Sequence, residues 1–353
     1  FRYPERSIKR KKLVLKIMLE NRYISDTEFN IAISDKMPVK DSNYNNSLAP
    51  YFSEYVRRNL KSIENDLDIN IYEDGLNIKT TLDYQLQSIL DESFNKTMKK
   101  NQKIFNRDLL ADKKKIKQLS NSFNIEEDSL INILKNDTLI IPEEFRSKLL
   151  VQGAAIILDS KHGHILSMIG GRNEPEYVDF FNRAVQAKRQ PGSVFKPFIY
   201  LTALEEGYSS CKQLMNQPLV FFLDDTTRWN PQNHDGSVGG LTSLRDGLRR
   251  SLNLISVRIV QELVSPKQVR NTALRFGLSK PIKAVDAIAL GVTEVYPIEI
   301  TSAYSAISNN GILNSPLSIL SINDNEGREL KQFFSNSREI ADENDIYLIR
   351  DLM

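Results

Sequence analysis

The 353-residue chain has few of the residues that make ready-made reactive centres. Its single cysteine, Cys211, excludes an internal disulfide framework and any cysteine-rich metal site. Its three histidines are His162, His164 and His234, so a His-based catalytic or metal centre is poorly supplied. His162 and His164 flank Gly163 in a predicted hairpin and read as solvated turn residues. No run of about 18 apolar residues is present to cross a membrane, and no signal-peptide pattern occurs within the sequence. The chain opens on Phe1 and stops at Met353 inside a helical pattern. It is therefore expected to be a segment of a longer protein, with an upstream membrane anchor left open.

The chain does carry an ordinary folded composition, 41% hydrophobic and 26% charged, at a length that allows two domains. A net charge of +2 decides nothing about an anionic partner, yet residues 1–60 hold 12 Lys/Arg against 7 Asp/Glu. The basic cluster RSIKRKK (6–12) reads as a solvated helix face, or as a surface near anionic phospholipid or a pyrophosphate substrate. It lacks interleaved aromatics, so no nucleic-acid partner is expected.

Residues 4–36 are predicted helical, with Ser25 or Asp26 capping a second helix, and the polar 35–50 reads as a linker. LNIKTTLD (76–83) alternates like a strand and leads into an amphipathic helix, and 97–150 resembles a charged helical insertion. From Val151 the pattern changes. Two apolar strands at 153–171 meet at a turn over Lys161–Gly163, and a helix follows that ends at Gly207. Apolar residues at 241, 244, 248, 252, 255, 259 and 263 have helical spacing. Another helix spans 297–309, and 315–330 reads as a second hairpin turning at Asn325–Gly327. Strands, then helices, then returning strands predict an α+β domain.

The chemistry-bearing stretch is RQPGSVFKPF (189–198). Serine is a weak nucleophile until a base takes its proton, and on a helix Lys196 can reach Ser193 three residues earlier. A helix N-terminus suits a developing oxyanion, and the apolar Val194, Phe195, Phe198 and Ile199 could lower the lysine pKa by burial. The spacing itself does not discriminate, because Ser93–Lys96 and Ser209–Lys212 repeat it. On pattern alone Ser193 is either a helix cap or a nucleophile. A partner Ser-x-Asn motif appears at Ser251–Asn253, between two helical halves, but also at Ser122–Asn124, Ser308–Asn310 and Ser321–Asn323. Asn253 equally suits a helix break.

Taken together and in order, these stretches resemble the transpeptidase domain of class A penicillin-binding proteins. FFNRAVQAKRQPGSVFKPFIYLTAL, WNPQNHDGSVGG, LTSLRDGLRRSLNLISVRI and ALGVTEVYPIEITSAYSAISNNGIL carry the resemblance. RYPERSIKRKKLVLKIMLENRYISDTEF resembles the last helices of the peptidoglycan glycosyltransferase domain that precedes it in that class. The likeness covers roughly 1–35, 49–96 and 151–353.

The resemblance implies three regions: a partial glycosyltransferase domain at 1–40, a linker region with the helical insertion at 41–150, and a transpeptidase domain at 151–353. The last is expected to have the serine β-lactamase-like fold, an antiparallel sheet with a helical subdomain. It implies Ser193 as nucleophile, Lys196 as its base, Ser251 as proton relay and Asn253 as substrate-binding amide, with no cofactor and no metal. The Ser193 N–H would supply half of an oxyanion hole. Implied partners are D-Ala-D-Ala stem peptides, glycan strands derived from lipid II, β-lactams as covalent inhibitors, cell-wall or division proteins, and the bacterial membrane through an upstream anchor. The catalytic domain would face the extracytoplasmic side. The family's Lys-Thr/Ser-Gly motif does not occur in residues 1–353 and is expected beyond Met353; the nearest string, Lys79-Thr80-Thr81, lacks the glycine. The glycosyltransferase glutamates are expected upstream of Phe1.

Overall fold

The structure, a computed structural model, describes residues 4–34, 47–136, 141, 143–172, 181–222 and 228–353. Most of the expected linker, 35–46, lies outside the described residues. The chain divides into two units, Phe1–Pro50 and Tyr51–Met353.

The first unit holds helices α1 (Pro4–Glu20) and α2 (Asp26–Ser34), as the periodicity predicts. Ser25 caps α2 in a reciprocal box: its hydroxyl accepts from the Glu28 N–H at 3.3 Å, and the Glu28 carboxylate accepts from the Ser25 N–H at 2.8 Å. Lys9, Arg10 and Lys12 on α1 are exposed.

The second unit begins at Tyr51, within α3 (Pro50–Leu67), a helix the sequence reading leaves unassigned. Its buried Tyr51, Phe52, Val56 and Leu60 fall on one face at helical spacing. Strand β1 (Asn77–Thr80) follows, then α4 (Tyr84–Ala111), whose Asp83 cap accepts from the Leu86 N–H at 3.0 Å. Helices α5 (Lys113–Phe123), α6 (Glu127–Lys135) and α7 (Glu143–Leu149) complete the predicted helical insertion. They close, with the end of α4, on a small core of their own that includes Leu109, Ile116, Leu130, Leu134 and Leu149.

Strands β2 (Ala155–Leu158) and β3 (Ile165–Ile169) form the expected antiparallel hairpin. After them come α8 (Arg183–Gln186) and α9 (Lys196–Glu205), then β4 (Gln213–Met215), β5 (Phe221–Phe222) and β6 (Arg228–Trp229). The segment predicted as helical from 241 is subdivided. Strand β7 (Leu241–Ser243) pairs antiparallel with β4, α10 (Leu244–Arg249) and α11 (Asn253–Arg258) flank a break, and a π-helical turn spans Ile259–Leu263. The apolar spacing is that of a helix, but strand pairing claims the first three residues and a left-handed Ser251 interrupts the rest.

The remaining elements are α12 (Pro266–Arg275), a 3-10 helix (Asp286–Leu290), α13 (Pro297–Ser308), β8 (Ile312–Asn314), β9 (Ile319–Asn323), β10 (Glu329–Gln332), β11 (Ser337–Glu339) and α14 (Glu343–Leu352). Strand β9 is central between β1 and β10, antiparallel to both, and β8 pairs with β11. Buried Thr81 ties β1 to the hairpin: its hydroxyl donates to Ile165 O at 2.7 Å. The α+β architecture is the expected one.

Helix α9 is the centre of the main core. Phe198, Ile199, Tyr200 and Leu201 are fully buried, and α12, α14, α10 and α11 pack around them. A helix apolar on every side has no solvent face, so its direction is fixed by its neighbours. Truncating Phe198 to Ala would cost about 3–5 kcal/mol.

Candidate active site

The chain enters α9 through a bend that few residues tolerate. Gly192 sits at φ +56°, a left-handed conformation open to glycine, and a 3-10 turn over Gly192–Phe195 then hands over to α9. The first bond of that turn runs from the Val194 N–H to Pro191 O at 3.3 Å, which leaves the Ser193 N–H outside its ladder. Ser193 is exposed at the head of the helix, whereas Lys196, one turn on, is 1% exposed.

Lys196 reaches across to the break between α10 and α11. Its Nζ donates to the backbone oxygen of Ser251 at 2.6 Å, to Asn253 Oδ1 at 2.8 Å and to Ser251 Oγ at 3.1 Å. Three N–H groups thus meet three oxygens. Burial pulls the Lys196 pKa down to about 8, since the charged form loses water. Lys196, Ser251 and Asn253, three of the four residues that the resemblance implies, come together; Ser193 Oγ and Lys196 Nζ share no hydrogen bond among the described residues. The other Ser-x-x-Lys copies lie elsewhere: Ser93 and Lys96 in the middle of α4, and Ser209 and Lys212 in the turn before β4.

Ser251 is placed by a helix ending. The Ser251 N–H donates to Leu248 O and the Leu252 N–H to Gly247 O, each at 2.8 Å, which is a Schellman closure of α10. The left-handed position in such a closure usually belongs to glycine, yet here it is Ser251 at φ +53°. The substitution costs about 1 kcal/mol of backbone strain. In return, both the carbonyl and the hydroxyl of that residue face the ammonium.

Asn253 opens α11, and its amide is used on both ends: Oδ1 accepts from Lys196, and Nδ2 donates to Gln232 O at 2.8 Å. The following Leu254 N–H is capped by Asn233 Oδ1 at 3.0 Å. Asn233 is buried and also donates to Asn216 Oδ1 at 2.7 Å and to Ser237 O at 2.8 Å. This amide network holds the loop before β7 against the start of α11. At the loop's edge Arg250 pairs with Asp235 at 3.0 Å. Bonds from Ser237, joined by Arg250, hold the Asp235 carboxyl down at about 2.

Two further contacts brace the 3-10 turn, and sequence reasoning missed both. Gly291, at φ +67°, lies so close that a β-carbon there would stand 2.2 Å from Gly192 O. The Tyr304 hydroxyl, on α13, donates to Val194 O at 2.7 Å, and burial raises its pKa to about 12. The glycine in ALGVTEV is the residue type that a left-handed turn in close approach requires, but its role shows only in the dihedral angle and the contact. The tyrosine lies in an ordinary helical pattern and gave no signal.

Residues 153–350, more than half of the chain, match the family model described as the penicillin binding protein transpeptidase domain. Penicillin-binding protein 1A of Aquifex aeolicus (strain VF5) is 28% identical over 381 aligned positions, taking in 96% of this chain and 51% of that relative. The chain therefore spans about half the length of the relative it matches. The solved structure of penicillin-binding protein 1A from Haemophilus influenzae matches with a TM-score of 0.66 at 22% identity, over 99% of this chain and 63% of that one. The PonA1 protein from Mycobacterium tuberculosis in complex with penicillin V gives 0.61 at 19% identity, over 85% and 70%. At such identities the two structural likenesses speak to the fold.

Proposed function

The chain belongs to the penicillin-binding protein transpeptidase domain family, and from that premise we propose that it carries the acylation half-site of a D,D-transpeptidase that cross-links peptidoglycan. The observation that carries this reading is the meeting of Lys196 with Ser251 and Asn253 beside the helix head that bears Ser193. A lysine can act as a base only when neutral. With its pKa near 8, a fraction of Lys196 is neutral at physiological pH. The neutral amine keeps two N–H bonds, to Ser251 O and Asn253 Oδ1, and frees one lone pair for a hydroxyl.

In this reading Ser193 Oγ attacks the carbonyl carbon between the two terminal D-alanines, and its proton passes to Lys196. The oxyanion forms at the head of the helix, with the Ser193 N–H as one donor. Ser251 then relays a proton to the departing D-alanine nitrogen as the C–N bond breaks, leaving an ester on Ser193. The amine of a neighbouring stem peptide attacks the ester carbonyl, the ester C–O bond breaks as the new amide forms, and the proton lost by the amine returns through Lys196 to Ser193 Oγ. Asn253 orients the donor peptide through its remaining amide proton.

The wider assignment belongs to the same proposal. Residues 1–40 would be the end of a glycosyltransferase domain, 41–150 a linker with the helical insertion, and 151–353 the transpeptidase domain. The protein would use stem peptides and lipid II-derived strands as substrates, work on the extracytoplasmic face of the bacterial membrane, and be acylated by β-lactams. No helix among the described residues is long and apolar enough to cross a membrane, so anchoring would come from residues outside them.

The test is a fluorescent penicillin offered to the full-length protein and to its Ser193→Ala variant. Covalent label on the former and none on the latter is expected. Equal labelling of both would remove Ser193 from the mechanism.

A further inference from the structure

The hairpin joining β2 and β3 carries a second cluster of reactive side chains, which the acyl chemistry does not use. Asp159, His162 and His164 each present one ligand atom, and those atoms all lie within 4.8 Å of one another. We propose that they bind one divalent first-row transition ion, with Zn2+ favoured over Mg2+ or Ca2+. Two imidazoles and one carboxylate are the donor set such an ion prefers, whereas magnesium and calcium take oxygen ligands.

The turn is preorganised for this. Asp159 and His164 face each other across the hairpin, with the Asp159 N–H donating to His164 O at 2.9 Å, and the Gly163 N–H returns to Asp159 O at 2.8 Å. Asn314, 2% exposed, donates from Nδ2 to Ser160 O and Lys161 O at 3.1 and 2.8 Å, fastening the tip from outside. Gly163, at φ +70°, lets the tip lie against Ser315, whose oxygen a β-carbon there would meet at 2.7 Å. The backbone of the turn is therefore in place before binding, which lowers the entropic cost.

His162 Nδ1 meets Asp159 Oδ2 at 2.5 Å, and the two imidazole rings stack at 5.3 Å and 29°. A tetrahedral ion with bonds near 2.0–2.1 Å needs ligand atoms about 3.3 Å apart. Side-chain rotation of the exposed His162 supplies the adjustment. A cavity of about 470 Å3, lined by both histidines, gives room for water in the open coordination position. Lys79 and Lys161 also line it and oppose a cation, while Asp159 in the cluster and Glu329 in the cavity wall offset them. The ion would fasten the hairpin, and this inference does not depend on the acyl chemistry.

The experiment titrates untagged full-length protein with Co2+, read by its visible d–d absorption, and with Zn2+, read by calorimetry and by thermal midpoint. One ion per chain is expected, with a raised midpoint in Zn2+ but not in Mg2+. Asp159→Asn keeps the acceptor for the Lys161 N–H, so the turn survives, and it should weaken binding about tenfold or more. His162→Ala with His164→Ala should abolish it, with unchanged circular dichroism. Absence of saturable binding below about 1 mM, or equal binding by the double variant, would overturn the assignment.

Discussion

Lys196 Nζ lies 2.6 Å from the carbonyl oxygen of Ser251, a serine held at φ +53°. The strained helix end and the buried amine specify each other. The left-handed turn aims the carbonyl and hydroxyl of one residue at the same nitrogen, and the nitrogen satisfies a carbonyl that closing the helix leaves free.

The lowered pKa of Lys196 sets a pH profile. The base form is the neutral amine, so acylation by a penicillin should rise about tenfold per unit up to pH 8 and level off above it. Stability follows with a definite sign. The native group titrates near 8 and the unfolded one near 10.5, so between these values the unfolded chain binds more protons and stability rises with pH. Stopped-flow labelling checks the first and urea midpoints across that window the second. A Lys196→Met variant should lose both dependences.

Replacing Ser251 separates strain from chemistry. Ser251→Gly relieves the left-handed conformation and Ser251→Ala keeps it, so the glycine variant should be the more stable by about 1 kcal/mol. Both lose the hydroxyl beside Lys196 and should acylate slowly. Denaturant melts and labelling rates on the same two proteins read the two effects apart.

The brace on the Ser193 turn makes a contrast between two glycines. Gly291→Ala places a methyl 2.2 Å from Gly192 O and should cost about 3 kcal/mol while displacing the turn. Gly192→Ala meets nothing within 4 Å and should cost only its backbone strain, about 1 kcal/mol. Tyr304→Phe removes one hydrogen bond to Val194 O and should slow acylation with little loss of stability. Thermal midpoints and labelling rates measured in parallel distinguish the three.

Much of this was legible in the sequence because it is local. The hairpins at 155–169 and 319–332, the end of the helix after Lys196 and the Ser25 cap depend on alternation, glycine and capping residues a few positions apart. What the sequence hid is non-local or breaks its own pattern. The 241–263 repeat looks like one helix because the pairing of β7 with β4 leaves no periodic trace. Helix α3 is amphipathic, but it follows directly on the polar stretch read as a linker. Ser251 in the left-handed region is visible only in the dihedral angle, since glycine is the residue that normally marks that place. Asn216 and Asn233 meet across 17 positions, one before and one after the paired strands β5 and β6. Among the Ser-x-x-Lys and Ser-x-Asn repeats spacing could not choose, and the hydrogen bonds of Lys196 to Ser251 and Asn253 are formed across more than fifty positions.

The most direct test of the acylation half-site is mass spectrometry of the full-length protein after reaction with penicillin and proteolysis. The half-site requires one adduct, on Ser193, that disappears in Lys196→Met. An adduct on any other serine, or one on Ser193 that forms equally fast without Lys196, would contradict it.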